Sequence, residues 1–213
     1  ITNAYREKLL EAVADFDDHL LEQFLHDQPI NSLDVIAAVR KATIAGKMVP
    51  VLCGSSTANI GVDLFLDFVV AAMPSPADRP ARLGKDPASG KEIERNPDPA
   101  APFSALVFKT ITDPYAGRLT IFRVVSGTIG GVGTFYNAKK EVRERYNQLL
   151  VILGKEQKPV DGAGPGSIVA VAKLKETGTG DTLCDEAGKI RYESVPPIPT
   201  LISYAVSAKT KGD

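Results

Sequence analysis

Tryptophan is absent, cysteine and methionine occur twice each, and aromatic residues make up only 7% of the 213 positions. A core must therefore rest on Leu, Ile, Val and a few Phe. At 44% hydrophobic composition there is enough of these for one or two packed domains. Two cysteines far apart in sequence, Cys53 and Cys184, argue against a disulfide framework. Neither has a His or a basic cluster beside it to favour thiolate, so both are expected as reduced, buried thiols of a cytosolic protein. The two histidines, His19 and His26, have no third ligand with metal-binding spacing and are expected on the surface. No apolar run approaches the roughly 18 residues of a membrane helix, so a soluble chain is expected. Ile1 is not Met and no signal-peptide pattern follows it, which suggests an internal piece of a larger protein.

Charge is nearly balanced, at -1, but unevenly placed: residues 1–73 carry a balance of -5 and the remainder +4. The acidic part is helical in pattern. Tyr5, Leu9, Val13, Phe16, Leu20 and Phe24 recur every three or four positions and predict one helix over 5–25, with Glu11, Asp15, Asp18 and Glu22 on the opposite face. Pro29 ends it. Ser32 can cap a second helix with the stripe Leu33, Ile36, Ala37 and Ile44, ending at Gly46, and Arg40 interrupts that stripe. Residues 48–53, Met-Val-Pro-Val-Leu-Cys, read as a strand buried on both faces of a parallel sheet, which leaves its backbone groups without a partner in this chain. A third helix follows Gly61, with Leu64, Phe65, Phe68, Val69 and Met73 inward.

From Pro74 to Pro102 the composition shifts to Pro, Asp, Gly and Lys, with 86–91 as an exposed connector or hairpin tip and a domain boundary near residue 75. The rest is β in pattern. Strands are predicted over 104–110, 119–126, 134–137, 143–152, 167–173 and 191–194, separated by Gly-rich turns in the manner of a closed barrel of six to eight strands. Leu201 to Val206 also alternates like a strand. Gly162-Ala163-Gly164-Pro165-Gly166 imitates a phosphate cradle, but Pro165 lacks an amide and a strand follows, so it reads as a turn. Lys139, Lys140, Arg143 and Arg145 gather around one turn, with Arg118, Arg123, Lys155 and Lys158 elsewhere. They could follow an RNA backbone or form an ordinary solvated face.

Three motifs add a family resemblance: Thr112-Asp113-Pro114-Tyr115-Ala116-Gly117-Arg118, Ser126-Gly127-Thr128 and Gly180-Asp181-Thr182-Leu183-Cys184-Asp185. Together they resemble the second, β-barrel domain of bacterial elongation factor G, the ribosomal translocation GTPase. Val49 to Ser56 resembles the last strand and guanine-recognition loop of that family's GTPase domain, and Lys209 to Asp213 the linker into its third domain. The resemblance implies an α+β multi-domain fragment, a helical and α/β remnant of a GTPase domain followed by an all-β translation-factor barrel. Its parts are the GTPase-domain end with part of a helical insert (1–73), a linker (74–101), the barrel (102–195) and the start of a third domain (196–213).

The resemblance further implies Ser55, Ser56 and Thr57 as guanine-proximal residues, with GTP or GDP and Mg²⁺ held by the parent protein. It implies that the barrel docks on small-subunit ribosomal RNA without naming the residues, for which the clustered Lys139, Lys140, Arg143 and Arg145 are the candidates, and it makes Glu11, Asp15, Asp18 and Glu22 candidates for the large-subunit stalk protein. The chain contains no Gly-x-x-x-x-Gly-Lys-Ser/Thr loop and no Asn-Lys-x-Asp segment, so it has no complete nucleotide site and is expected to be catalytically inert. A paralogue, a release-factor GTPase or a ribosomal-protection protein shares these features, and Ala208 departs from the Pro usual in the main factor. A stand-alone RNA- or protein-binding barrel is the alternative of another class.

Overall fold

The computed structural model describes residues 2–26, 28–113, 117–194, 196 and 199–208. It divides into two compact units, residues 1–80 and 81–213.

The first unit is helical: α1 (Thr2–Ala14), α2 (Asp18–Leu25), α3 (Ser32–Ile44) and α4 (Val62–Ala72). The single helix expected over 5–25 is two. Asp17 adopts an extended backbone and its carboxylate accepts from the amides of His19 (3.1 Å) and Leu20 (3.2 Å), so it starts a new helix where periodicity alone would continue the old one. Asn31, one residue before the expected Ser32, caps α3. Gly46, just past the end of α3, takes the left-handed conformation (φ 67) expected of a terminating glycine.

The α3 stripe is rotated from expectation. Val35, Ala38, Val39 and Ala42 are buried, while Leu33, Ile36, Ala37 and Ile44 are exposed. Both sets have helical spacing, and the smaller residues win because they let the helices approach closely in a core of Val13, Leu20, Val35, Ala38, Val39 and Ala72. Arg40 is the counterpart of that choice. It donates to the carbonyls of Ala71 (3.4 Å) and Met73 (2.9 Å) at the end of α4 and pairs with Asp78 at 2.5 Å.

Residues 48–53 form no β-ladder among the described residues, contrary to the buried strand expected, and Val51 is 91% exposed. Cys53 is likewise exposed, not buried. Leu64, Phe65 and Val69, expected inward on α4, are exposed, and Ala72 is the buried residue of that helix. The apolar character is real, but nothing within this unit covers it.

The second unit begins with a hairpin, β1 (Arg82–Lys85) and β2 (Glu92–Arg95). Its turn is made by the Asp86 carboxylate accepting from the amides of Ala88 and Ser89. Then come β3 (Ser104–Asp113), β4 (Gly117–Ser126), β5 (Ile129–Gly130), β6 (Gly133–Asn137), β7 (Val142–Tyr146), β8 (Leu149–Leu153), β9 (Glu156–Val160), β10 (Gly162–Ala163), β11 (Ile168–Ala172) and β12 (Thr182–Cys184). Eight of these make one antiparallel sheet in the order β7-β6-β12-β3-β4-β11-β8-β9.

That order dictates a barrel. Laid flat, β7 and β8 would lie six strand spacings apart, about 29 Å, yet only Asn147 and Gln148 join them, a reach of about 11 Å. The sheet must roll up. The expected strand over 143–152 is therefore bent at these two residues, its first half paired with β6 and its second with β9 and β11. A two-residue ladder between β5 and β10, with the Gly131 amide donating to Asp161 O at 2.7 Å, fastens the seam.

Phe103, Val107, Phe122, Val124, Leu149, Val171 and Leu183 lie in the barrel core. Gly127 (φ 67) turns the chain where a Cβ would fall 2.5 Å from Ala101 O. Strands β9 and β12 were not expected, whereas the strand expected at 191–194 is reduced to one bridge, Lys85 to Arg191. Residues 201–206 form no strand, their apolar side chains being exposed. Among the described residues no helix is long and apolar enough to cross a membrane.

Two outcomes test this division. Phe122, fully buried, should cost about 3–5 kcal/mol of stability when replaced by Ala, measured by denaturant unfolding. Amide exchange should be slow at Leu119 to Ser126 and fast at Val49 to Cys53; equal protection would contradict the structure.

Candidate nucleic-acid interface

The basic cluster predicted from sequence is split by its carboxylates. The β6–β7 turn is organised by Asn137, whose side-chain oxygen accepts from the amides of Lys139 and Lys140, both at 3.0 Å, with Glu141 in the left-handed conformation (φ 59). Lys139 reaches the buried carboxylate of Asp181 at 3.4 Å. Arg143 pairs with Glu186, an exposed contact. Lys140 and Arg145 are exposed and make no ion pair among the described residues. Alternation along β7 puts Arg143 and Arg145 on its outer face, with Tyr136 directly across from Arg143. Lys189, carried in by the turn at 186–188, holds its ammonium 4.3 Å from the centre of the Tyr136 ring.

Glu144 points the other way and latches the loop before β12. One carboxylate oxygen accepts from the amides of Lys175 (2.7 Å) and Glu176 (3.0 Å), the other from the amide (2.9 Å) and hydroxyl of Thr177. Asn137 donates to Thr177 Oγ1 and to Asp181 Oδ2, both at 3.0 Å, and Arg118 donates to the carbonyl of Thr177 at 2.7 Å. The basic turn and this loop therefore form one hydrogen-bonded body. Burial pushes the Glu144 carboxyl up, but the Thr177 hydroxyl and the amides of Glu176, Lys175 and Thr177 outweigh it and hold the pKa below the ordinary value.

In the loop at 54–57, Ser55 exchanges both backbone hydrogen bonds with Ile60 (3.0 and 2.9 Å), and its hydroxyl lies 3.3 Å from that of Thr57. Ser56 and Thr57 are exposed, and among the described residues their amides have no acceptor. Of the Gly162–Gly166 segment, read as a turn, Gly162 and Ala163 form β10 and the remainder leads into β11, not a helix. The acidic set does not share one helix face. Glu11 lies on α1, Asp15 at the break, and Asp18 and Glu22 on α2, all exposed. Cys184 is buried, which pushes its thiol pKa up and leaves it inert. No group of three His, Cys, Asp or Glu side chains suited to a metal occurs among the described residues.

Sequence reasoning missed Tyr136, Lys189 and the Asn137–Glu144–Thr177–Asp181 network. The motif at 180–185 contains Asp181, but only the fold brings Asn137 and Glu144 to it. Of the other quoted motifs, Pro114 to Ala116 and Lys209 to Asp213 lie outside the described residues.

The rolled antiparallel sheet with its latched turn is the part of the chain that the comparisons with known proteins identify. Residues 102–186 match the sequence model of elongation factor G domain 2. The chain is similar to a crystal structure of a protein from Thermus thermophilus, with a TM-score of 0.69 and 25% identity over 92% of this chain. It spans only 27% of that protein's chain. Residues 102–186, the barrel, thus carry an elongation factor G domain 2.

Because folding lowers the Glu144 pKa, the latch contributes fully above the unfolded-chain value and is lost as pH falls through the folded one. Glu144→Gln should therefore destabilise the barrel at neutral pH and flatten the acid side of its stability profile, as read by thermal unfolding between neutral pH and the acid end of the carboxylate range. An unchanged acid slope would refute the latch.

Proposed function

We propose that this chain is the ribosome-docking portion of a cytoplasmic translational GTPase resembling elongation factor G. Its barrel binds structured small-subunit ribosomal RNA through phosphates. What supports the reading is the domain 2 match over residues 102–186, joined to the outward basic side chains at the β6–β7 rim. Residues 1–73 are the end of the GTPase domain and 196–213 the start of a third domain. Ser55, Ser56 and Thr57 lie at the guanine edge of a GTP or GDP site whose phosphate and Mg²⁺ contacts come from elsewhere in the parent protein. The bound nucleotide would supply the phosphoryl chemistry; this chain's loop would contribute only amide contacts to the base. Glu11, Asp15, Asp18 and Glu22 offer the stalk protein an acidic surface divided between two helices.

Two measurements test the proposal. Isothermal calorimetry should detect no micromolar affinity for GTP, and magnesium-dependent hydrolysis should not exceed buffer. RNA affinity should fall with log salt at a slope of about 2 to 4, matching a few neutralised phosphates. Replacing Lys139, Lys140, Arg143 and Arg145 by Ala should flatten that slope, with the smallest part of the change from Lys139, which is held by buried Asp181. Salt-independent binding would return the cluster to a solvated face.

A further inference from the structure

The outer face of β6 and β7 holds more than charge. Tyr136 is half-buried: one side packs against the cluster of Leu106, Ala138, Cys184, Ile190 and Tyr192, and Lys189 lies over its ring. Arg143 stands directly opposite on the neighbouring strand, and Arg145 lies two residues further on the same face. The facing carboxylate is Glu186, paired with Arg143 at the surface, where ion pairs are weak and a guanidinium exchanges readily to phosphate. Lys189 is a half-exposed residue with no ion pair among the described residues, so phosphate can compete with the ring for its ammonium.

We infer that this face takes an unpaired nucleotide of RNA, the base stacking on Tyr136 in place of the Lys189 ammonium and the flanking phosphates binding Lys189, Arg143 and Arg145. The inference rests on the RNA-docking reading and sharpens it. Phosphate contacts alone need no aromatic ring, whereas here one lies under Lys189 and across from Arg143 on the strand face that also carries Arg145. Bases inside a paired helix present no free face to such a ring, whereas bulged or looped bases do. The ring is already fixed by its packing, so stacking orders little that was free.

The test uses the full chain and two labelled RNA duplexes of equal length, one blunt and fully paired, the other with a single bulged uridine. Wild type should bind the bulged RNA more tightly, and 5-iodouridine at the bulge should crosslink to the peptide carrying Tyr136. Tyr136→Leu, which keeps an apolar side chain against the cluster, should weaken binding of the bulged RNA by roughly 5- to 150-fold. Its affinity for the paired duplex and its salt slope should stay as in wild type, and Tyr136→Phe should behave like wild type. Equal salt-dependent binding of both RNAs, with no crosslink at Tyr136, would overturn the stacking site and leave phosphate docking standing. Salt-independent or absent binding of both would overturn the docking reading itself. The crosslink uses wild-type protein, so it decides the matter even where Tyr136→Leu unfolds.

Discussion

Two residues, Asn147 and Gln148, constrain the barrel more than any single packing contact. They join the strand at one margin of an eight-stranded sheet to a strand beside the other margin, and no flat or gently twisted sheet can accommodate a link that short. Once the sheet rolls, the inward sides of β3, β4, β6, β8, β11 and β12 share one interior, and Phe122, Leu149 and Leu183 become fully buried. Rolling also deals with the sheet margins. The margin strand β9 carries Pro159 and charged residues, and β7 carries Arg143, Glu144 and Arg145, composition that resists pairing with a foreign strand.

Closure explains where the basic face comes from. Strand β7 must be polar on its outer side because it is a margin, and its one inward-turned acid, Glu144, is free to latch the loop that leads into β12. That loop delivers Asp181 to Asn137, and Asn137 shapes the turn bearing Lys139 and Lys140. The chain of dependence runs from strand order to loop to side chain. Charge balance, which pointed to this half of the sequence, has no part in fixing these positions.

Much of the barrel is legible in sequence because its strands are short runs rich in Val, Ile, Leu, Phe and Thr separated by turn formers, as at 104–110 and 119–126, and because three motifs resemble a known domain. Strand β12 escapes because three residues among turn formers carry no period, and β9 because Pro159 and its charges speak against a strand; tertiary pairing overrides both. In the helical unit, Asp17 starts a new helix inside an unbroken stripe, and α3 has two apolar stripes of helical spacing, so periodicity cannot choose between them. The run at 48–53 has strand composition but finds no partner to make it one. For the site, residue types indicated a basic turn, yet which cations are spoken for depends on Asp181 and Glu186, both distant in sequence.

That last dependence changes what the cluster can do. Four neighbouring cations counted in sequence suggest four equal phosphate contacts. In the fold, Lys139 is held against a carboxylate that is itself buried and bonded to Asn137, so withdrawing it would leave Asp181 uncompensated. Arg143 is tied only at the surface, and Lys189, absent from the count, rests on an aromatic ring it can give up. The useful charge therefore lies along the outer strand face from Arg145 through Arg143 to Lys189, with Lys139 left as part of the scaffold. The nucleotide proposed for that face would be selected by the spacing of these cations about Tyr136, which is a property of strand register and would survive changes in the overall charge of the barrel.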